Sequence, residues 1–311
     1  MRPFTFLTDA RAIVGGAELA EQARRAEGLG YHAMVVPDHL LGQLSPVVAM
    51  TAIAAATTTL RVGAFVLNND LRHPAVLAQD LAAIDVLSGG RLDVAIGAGW
   101  NKPEYDAIGL PFDPTPVRQA RLAEAVTVIK QCLTGQPFSF TGEDYRITDY
   151  TGEAAVQRPC PPVMIGGGGR RTLALAGREA DIVGLAPRIT AAGLDARSLT
   201  LEATREKLAW VARAAGDRYP GLVFNVYPSG WPPVLTDDLD GEVTTVIAAL
   251  EQATGTRLTA REVLDSPHLF LGSAGRLADK FEQLRAELGI TSFMLGTPGE
   301  LDPVLARLAG T

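Results

Sequence analysis

The chain has 311 residues, 47% of them hydrophobic and 20% charged, with a formal net charge of -7. That length and apolar content suit a single α/β domain over residues 1–311 and do not demand a second. The acidic balance argues against a general nucleic-acid surface, which needs clustered lysine and arginine. No apolar run reaches eighteen residues, and no basic segment followed by an apolar one opens the chain, so no membrane association is expected. Cys132 and Cys160 show no metal-ligand spacing and read as reduced thiols of a cytoplasmic protein without a metal site.

Phe4–Leu7 reads as a first strand and Ala17–Leu29 as an amphipathic helix stopped at Gly30. Ala33–Val36 is a second buried strand that runs into Pro37-Asp38-His39. Ser45 is expected to cap a helix with Pro46 in its first turn, reaching Thr57. Leu60–Leu67 is strand three, and Pro74–Leu87 is a helix capped by Arg72-His73-Pro74. Gly89-Gly90 stops that helix, because glycine takes left-handed backbone without steric cost. Arg91–Gly97 is strand four, opening into Gly97-Ala98-Gly99-Trp100-Asn101. Val117–Leu133 is a long helix, and Phe138–Ile147 is a small hairpin outside the main repeat.

Pro162–Ile165 is strand five, followed by Gly166-Gly167-Gly168-Gly169-Arg170-Arg171 and a helix to Gly177. Asp181–Gly184, Leu222–Val226 and Ser292–Leu295 complete the strands. Helices are expected at Leu199–Ala215, between Glu242 and Leu288, and at Asp302–Leu308. Eight short apolar strands alternating with helices imply a parallel sheet, closed as a (β/α)8 barrel. An open doubly wound sheet is the alternative.

Ligands of such sheets lie at the loops that follow the strands. After strand four, Gly97 and Gly99 would let a flat ligand approach the backbone, with Trp100 as a surface and Asn101 as a hydrogen-bonding group. His39 can shuttle a proton and Asp38 can tune it; alternatively, Asp38 caps a turn and His39 packs at the rim. Asn68 either reaches a ligand or forms a turn. Four glycine amides at a helix start, followed by Arg170 and Arg171, suit a phosphate. The run is not a dinucleotide fingerprint, because no acidic residue follows at the required distance. Asp80, Asp85 and Asp93 are assigned no role in a site, and Glu104 reads as a helix cap, with an acid acting from a shifted position as the alternative.

In this order, Asp38-His39, the segment from Asn68 to Pro74, the segment from Leu87 to Asn101, and Gly166 to Arg171 resemble the bacterial luciferase-like flavin and deazaflavin oxidoreductases. The resemblance is greatest to actinobacterial members that use coenzyme F420, and it runs from about residue 4 to residue 296. It implies a luciferase-like (β/α)8 barrel with loop insertions, transferring a hydride between F420 and a small organic substrate. It also implies a homodimer packed through barrel helices. By the same resemblance, Asp38 and His39 contact the deazaflavin, with His39 catalytic, and Gly166 to Arg171 hold the cofactor phosphate. A bulge at Phe65–Val66, with a non-proline cis peptide, would back the central ring, with Asn68, Trp100 and Asn101 near it. Members that act on sugar phosphates carry a carboxylate acid near Trp100, so that substrate is not expected here. Two alternatives stand beside this reading: an FMN-dependent monooxygenase using O2, and a barrel that binds flavin or deazaflavin without turnover.

Overall fold

The computed structural model describes residues 2–190, 192–299 and 301–308. In chain order the elements begin with β1 (Thr5–Asp9), α1 (Gly16–Leu29), β2 (Ala33–Val36), α2 (Pro46–Ala56), β3 (Arg61–Ala64) and β4 (Leu67–Asn68). Next come α3 (Pro74–Ser88), β5 (Leu92–Gly97), α4 (Lys102–Ile108), α5 (Thr115–Thr134), β6 (Pro137–Thr141) and β7 (Arg146–Thr151). They continue with β8 (Val163–Gly167), α6 (Arg170–Glu179), β9 (Ile182–Leu185), β10 (Ile189–Thr190), β11 (Gly193–Leu194) and α7 (Leu201–Ala215). The chain finishes with β12 (Val223–Val226), β13 (Val234–Leu235), α8 (Leu239–Thr254), α9 (Ala260–Asp265), β14 (Leu271–Gly272), α10 (Ala274–Leu288), β15 (Ile290–Met294) and α11 (Asp302–Leu308).

The main sheet runs β3-β2-β1-β15-β12-β9-β8-β5-β4, with β3 also paired to β5. The order therefore returns on itself, as the expected (β/α)8 barrel requires, with β3 and β4 making one interrupted stave. Among the described residues no helix is long and apolar enough to cross a membrane.

The chain divides into two compact units. One comprises Ala10–Glu27 and Ala33–Met164. In it β2 pairs in parallel with β3, Val35 opposite Gly63, and β5 pairs with both β3 and β4. Gly63 is required by this packing, because a Cβ there would sit 2.8 Å from the Asp93 carbonyl oxygen. Leu77, Leu81 and Ile84 of α3 and Leu122, Val126 and Ile129 of α5 are buried in its core. The other unit comprises Met1–Asp9, Gly28–His32 and Ile165–Thr311. There β15 lies between β1 and β12, and an aromatic stack of Phe281 on Phe293, centroids 4.2 Å apart, fills the space against α10. A second apolar cluster gathers Leu199, Val246, Leu250, Val263 and Leu271.

Three expectations are corrected. Strand three does not run unbroken from Leu60 to Leu67: it ends at Ala64 and resumes at Leu67, and the non-proline cis peptide lies at Phe65–Val66, where the family resemblance implied it. Ser45 stands at the N-cap of α2 but makes no side-chain cap bond, leaving Pro46 to start the helix by its fixed φ. The helix α4 is additional. By contrast, His73 does cap α3, its Nδ1 accepting the Ala75 N–H, and Gly89 ends the same helix at φ +68°. Asp85 and Asp93 serve the scaffold: Asp85 accepts both N–H groups of Val156 and Gln157, and Asp93 pairs with Arg61.

Candidate active site

In the first unit, the residues that follow β2, β4 and β5 converge through side-chain bonds. Asp38 is buried, and its carboxylate receives the fork of Arg72, Nη1 to Oδ2 at 2.7 Å and Nη2 to Oδ1 at 3.1 Å. The Asn68 N–H adds a third bond to Oδ2 at 2.8 Å. Asp38 is thus committed to the backbone after β4 and to Arg72, with a bidentate geometry that resists rotation. The expectation that it tunes His39 is corrected accordingly.

The carboxylate set against the imidazole is Glu104. Its Oε1 lies 2.9 Å from His39 Nδ1, with the acid side chain 4% exposed and the histidine 27%. Glu104 lies in the first turn of α4, where Pro103 supplies helical φ and a negative charge suits the helix dipole. The expected capping role is corrected, because the side chain turns inward to His39. An ionised carboxylate only accepts, so Nδ1 is the protonated nitrogen in this pair and Nε2 is the one left for other work. Trp100, 59% exposed, stands edge-on to the same imidazole with centroids 5.8 Å apart. Asn101 is the N-cap of α4, without a side-chain cap bond, and its carbonyl accepts the Glu104 N–H at 3.0 Å.

Tyr105, next in the chain, is wholly buried. Its hydroxyl donates toward Asn68 Oδ1 at 3.0 Å and Asp70 Oδ2 at 3.1 Å. Burial above all pushes the phenol up to about 12, with Asp70 adding to it and the Asn68 bond opposing. Asn68 is a turn former here, since its Oδ1 also accepts the Asp70 N–H, while its side-chain NH2 makes no bond among the described residues. Gly99, at φ +73°, has no room for a side chain: a Cβ would overlap Tyr105 Oη and Asn68 Oδ1. The open space expected there for a ligand is therefore taken by the protein. Arg118 donates to the carbonyls of Ala98 and Gly99, fixing the glycine loop, and lies over the Phe112 ring.

Behind this group Arg121 of α5 binds three carboxylates: Asp70 at 3.0 Å, Asp113 at 2.5 Å and Asp144 at 3.0 Å. They belong respectively to the turn after β4, the loop after α4 and the turn between β6 and β7. Tyr105 and Arg121 are the members that sequence reasoning missed, whereas Glu104 reads in the sequence as a helix cap, with an acid acting from a shifted position as the alternative. The spacing of Glu104-Tyr105 within the first turn of a helix after a glycine loop was the only available signal.

In the second unit, β8 ends in Gly166 and Gly167, and Gly169 caps α6 without a side chain. A Cβ on Gly167 would meet Thr172, and one on Gly168 would meet the Pro187 carbonyl, whereas one on Gly169 would meet nothing within 4 Å. Two of the four glycines therefore serve tight packing rather than ligand access. Arg170 and Arg171 are exposed at the start of this ten-residue helix, and neither guanidinium is paired among the described residues. Uncapped helical N–H groups and two available guanidinium groups form a donor set that fits a phosphate.

A family model described as luciferase-like monooxygenase matches residues 4–292. The chain belongs to the luciferase-like monooxygenase family. Among relatives of this luciferase-like chain is an FMNH2-dependent dimethylsulfone monooxygenase from Pseudomonas putida, 39% identical over 42% of this chain and 36% of that protein. An F420-dependent glucose-6-phosphate dehydrogenase from Amycolatopsis mediterranei is 33% identical over 54% of this chain and 52% of its own length. The luciferase-like chain thus spans about half or less of the length of these curated relatives. The F420-dependent tetrahydromethanopterin reductase structure from Methanopyrus kandleri superposes with a TM-score of 0.77 at 18% identity, over 99% of this chain and 98% of that one. This likeness shows the fold, the closed luciferase-like α/β barrel. Family members are oxidoreductases, with F420-dependent and FMN-dependent relatives both represented.

Proposed function

We propose that this luciferase-like protein is an F420-dependent oxidoreductase acting on a small organic substrate whose oxidation or reduction requires a proton to move on oxygen. The observation that carries the reading is the His39–Glu104 pair. Hydride transfer to or from a carbon–oxygen bond needs a group that gives or takes that proton, and a carboxylate-oriented imidazole is such a group. Glu104 holds the Nδ1 proton, leaving Nε2 as the atom that takes or returns the substrate proton. Arg72 and the Asn68 N–H occupy the Asp38 carboxylate, so Asp38 anchors the backbone beside His39.

Coenzyme F420, when bound, exchanges hydride with the substrate at its ring carbon. In this reading Arg170, Arg171 and the amides from Gly166 to Gly169 hold its phosphate, and Phe65 and Val66 lie behind the ring. Trp100, Asn101 and the free NH2 of Asn68 meet its edge or the substrate. Val48 of α2 and Val76, Val86 and Leu87 of α3 are exposed apolar side chains, and in this reading a second copy of the chain covers them. Cys132 and Cys160, neither of them in a disulfide, suit the reducing cytoplasm.

One observation favours a second reading, an FMN monooxygenase: the 39% identity to the FMNH2-dependent relative. Separate titrations of the protein with F420 and with FMN decide between them. Micromolar F420 binding with weak FMN binding is expected; the opposite order overturns the proposal.

A further inference from the structure

Five residues of the first unit form a closed circuit. Asp38 is joined to His39 by a peptide bond, and His39 Nδ1 to Glu104 Oε1 by a 2.9 Å hydrogen bond. Glu104 is joined to Tyr105 by a peptide bond, and the Tyr105 hydroxyl to Asn68 Oδ1 at 3.0 Å. The Asn68 N–H then returns to Asp38 Oδ2 at 2.8 Å. Two covalent links and three hydrogen bonds thus fix the separation of the acid and the imidazole from both sides.

The circuit is braced from outside at two points. Arg72 clamps Asp38, and Arg121 holds Asp70, whose second oxygen also accepts from the Tyr105 hydroxyl. Tyr105 is the vulnerable link. The seven-residue α4 is too short to hold itself in place by its own backbone bonds. The phenol supplies its buried anchor, edge-on to Phe112 at 4.9 Å and hydrogen-bonded at its tip. Gly99 makes the arrangement possible by leaving the space the hydroxyl occupies.

We propose that Tyr105 is a positioning residue: through its hydroxyl bonds to Asn68 and Asp70 it sets Glu104 against His39 Nδ1 and so fixes which imidazole nitrogen carries the proton. Its effect on turnover rests on the catalytic role proposed above for His39, but its effect on the imidazole does not. Free histidine favours the proton on Nε2; in this protein Glu104 selects Nδ1. Removing the Tyr105 hydroxyl frees α4 to shift and relaxes that selection.

The test is the ¹⁵N spectrum of the four histidine side chains in the cofactor-free protein at pH 7.5, with His39 assigned through His39→Gln. Wild type is expected to show His39 as the Nδ1–H form. Tyr105→Phe keeps the ring packing and loses only the hydroxyl, so His39 should move toward the Nε2–H form. Gly99→Ala breaks the same bond by steric overlap, with the hydroxyl still present, and should give the same shift. It also serves if Tyr105→Phe does not fold. With saturating cofactor, both variants should lose about tenfold to hundredfold in turnover, the scale expected of a misplaced catalytic group, with KM little changed. A His39 signature unchanged in the folded variants overturns the proposal. Failure of wild type to turn over with F420 would overturn the cofactor reading while leaving the imidazole result standing.

Discussion

Glu104 and His39 are 65 positions apart in the chain, yet Oε1 and Nδ1 are 2.9 Å apart, and the acid side chain is almost fully buried while the imidazole keeps a solvent-facing portion. That asymmetry makes the acid the fixed partner and the histidine the group that can meet a reactant. His39→Ala is expected to lower the single-turnover rate by about 10²–10⁴-fold and to change cofactor affinity little. Glu104→Gln keeps the shape and loses the charge, and should cost less than His39→Ala in the same measurement. A normal single-turnover rate in His39→Ala ends the catalytic assignment.

The α6 arginines address a different quantity. Arg170→Ala and Arg171→Ala each remove a charge-assisted donor worth roughly 1.5–3 kcal/mol, so cofactor Kd should rise about tenfold to hundredfold. Turnover at saturating cofactor should hold. Unchanged Kd in both variants would move the phosphate elsewhere.

Glu27 supplies a pH prediction outside the site. Its Oε1 accepts the backbone N–H groups of Thr58, Thr59 and Leu60 at 2.5–3.0 Å. Burial works against the charge, but these N–H groups outweigh it and hold the carboxyl down to about 2, against an ordinary value of 4.5. The stabilisation is therefore complete above about pH 4.5 and lost as pH falls toward 2. Glu27→Gln should cost about 1–2 kcal/mol in urea unfolding at pH 7, and the gap to wild type should narrow steadily below pH 4.5. A gap independent of pH would refute the assignment.

The exposed apolar side chains of α2 and α3 give an assembly prediction. Val86 and Leu87 are 55% and 69% exposed, so a charge at either disturbs no packing within one chain. Leu87→Glu should leave the thermal midpoint of the isolated chain nearly unchanged but shift sedimentation from dimer to monomer. Dimers that persist in Leu87→Glu and Val86→Glu alike would place the contact on other helices.

The repeating strands and helices were readable because each barrel unit carries its own local pattern: apolar β-branched runs, glycine stops such as Gly89, and a proline start at Pro74. The hairpin read over Phe138–Ile147 was equally visible through its turn residues, although its second strand runs on to Thr151. What escaped was the pairing of distant side chains. Nothing local distinguishes Glu104 from an ordinary first-turn acid, since the dipole favours a carboxylate there whatever it faces. Asp38 misled for the complementary reason: adjacency to His39 in sequence sends the two side chains in different directions at a strand end. The break in strand three came from the family resemblance, as neither Phe65 nor Val66 departs from strand composition. Gly99, Gly167 and Gly168 were recognisable as required glycines, but what fills the space beside each one is set by residues elsewhere in the chain.

Arg121 binds acids from three separate loops, and this bears on how such a protein can be re-engineered. Exchanging only the turn between β6 and β7 with that of a relative would remove the acceptor of Arg121 Nε and release that turn from the other two loops, and changing Asp113 alone would release the loop after α4 in the same way. A loop transplant meant to alter what the protein accepts should therefore move Asp70, Asp113, Asp144 and Arg121 as one inherited set.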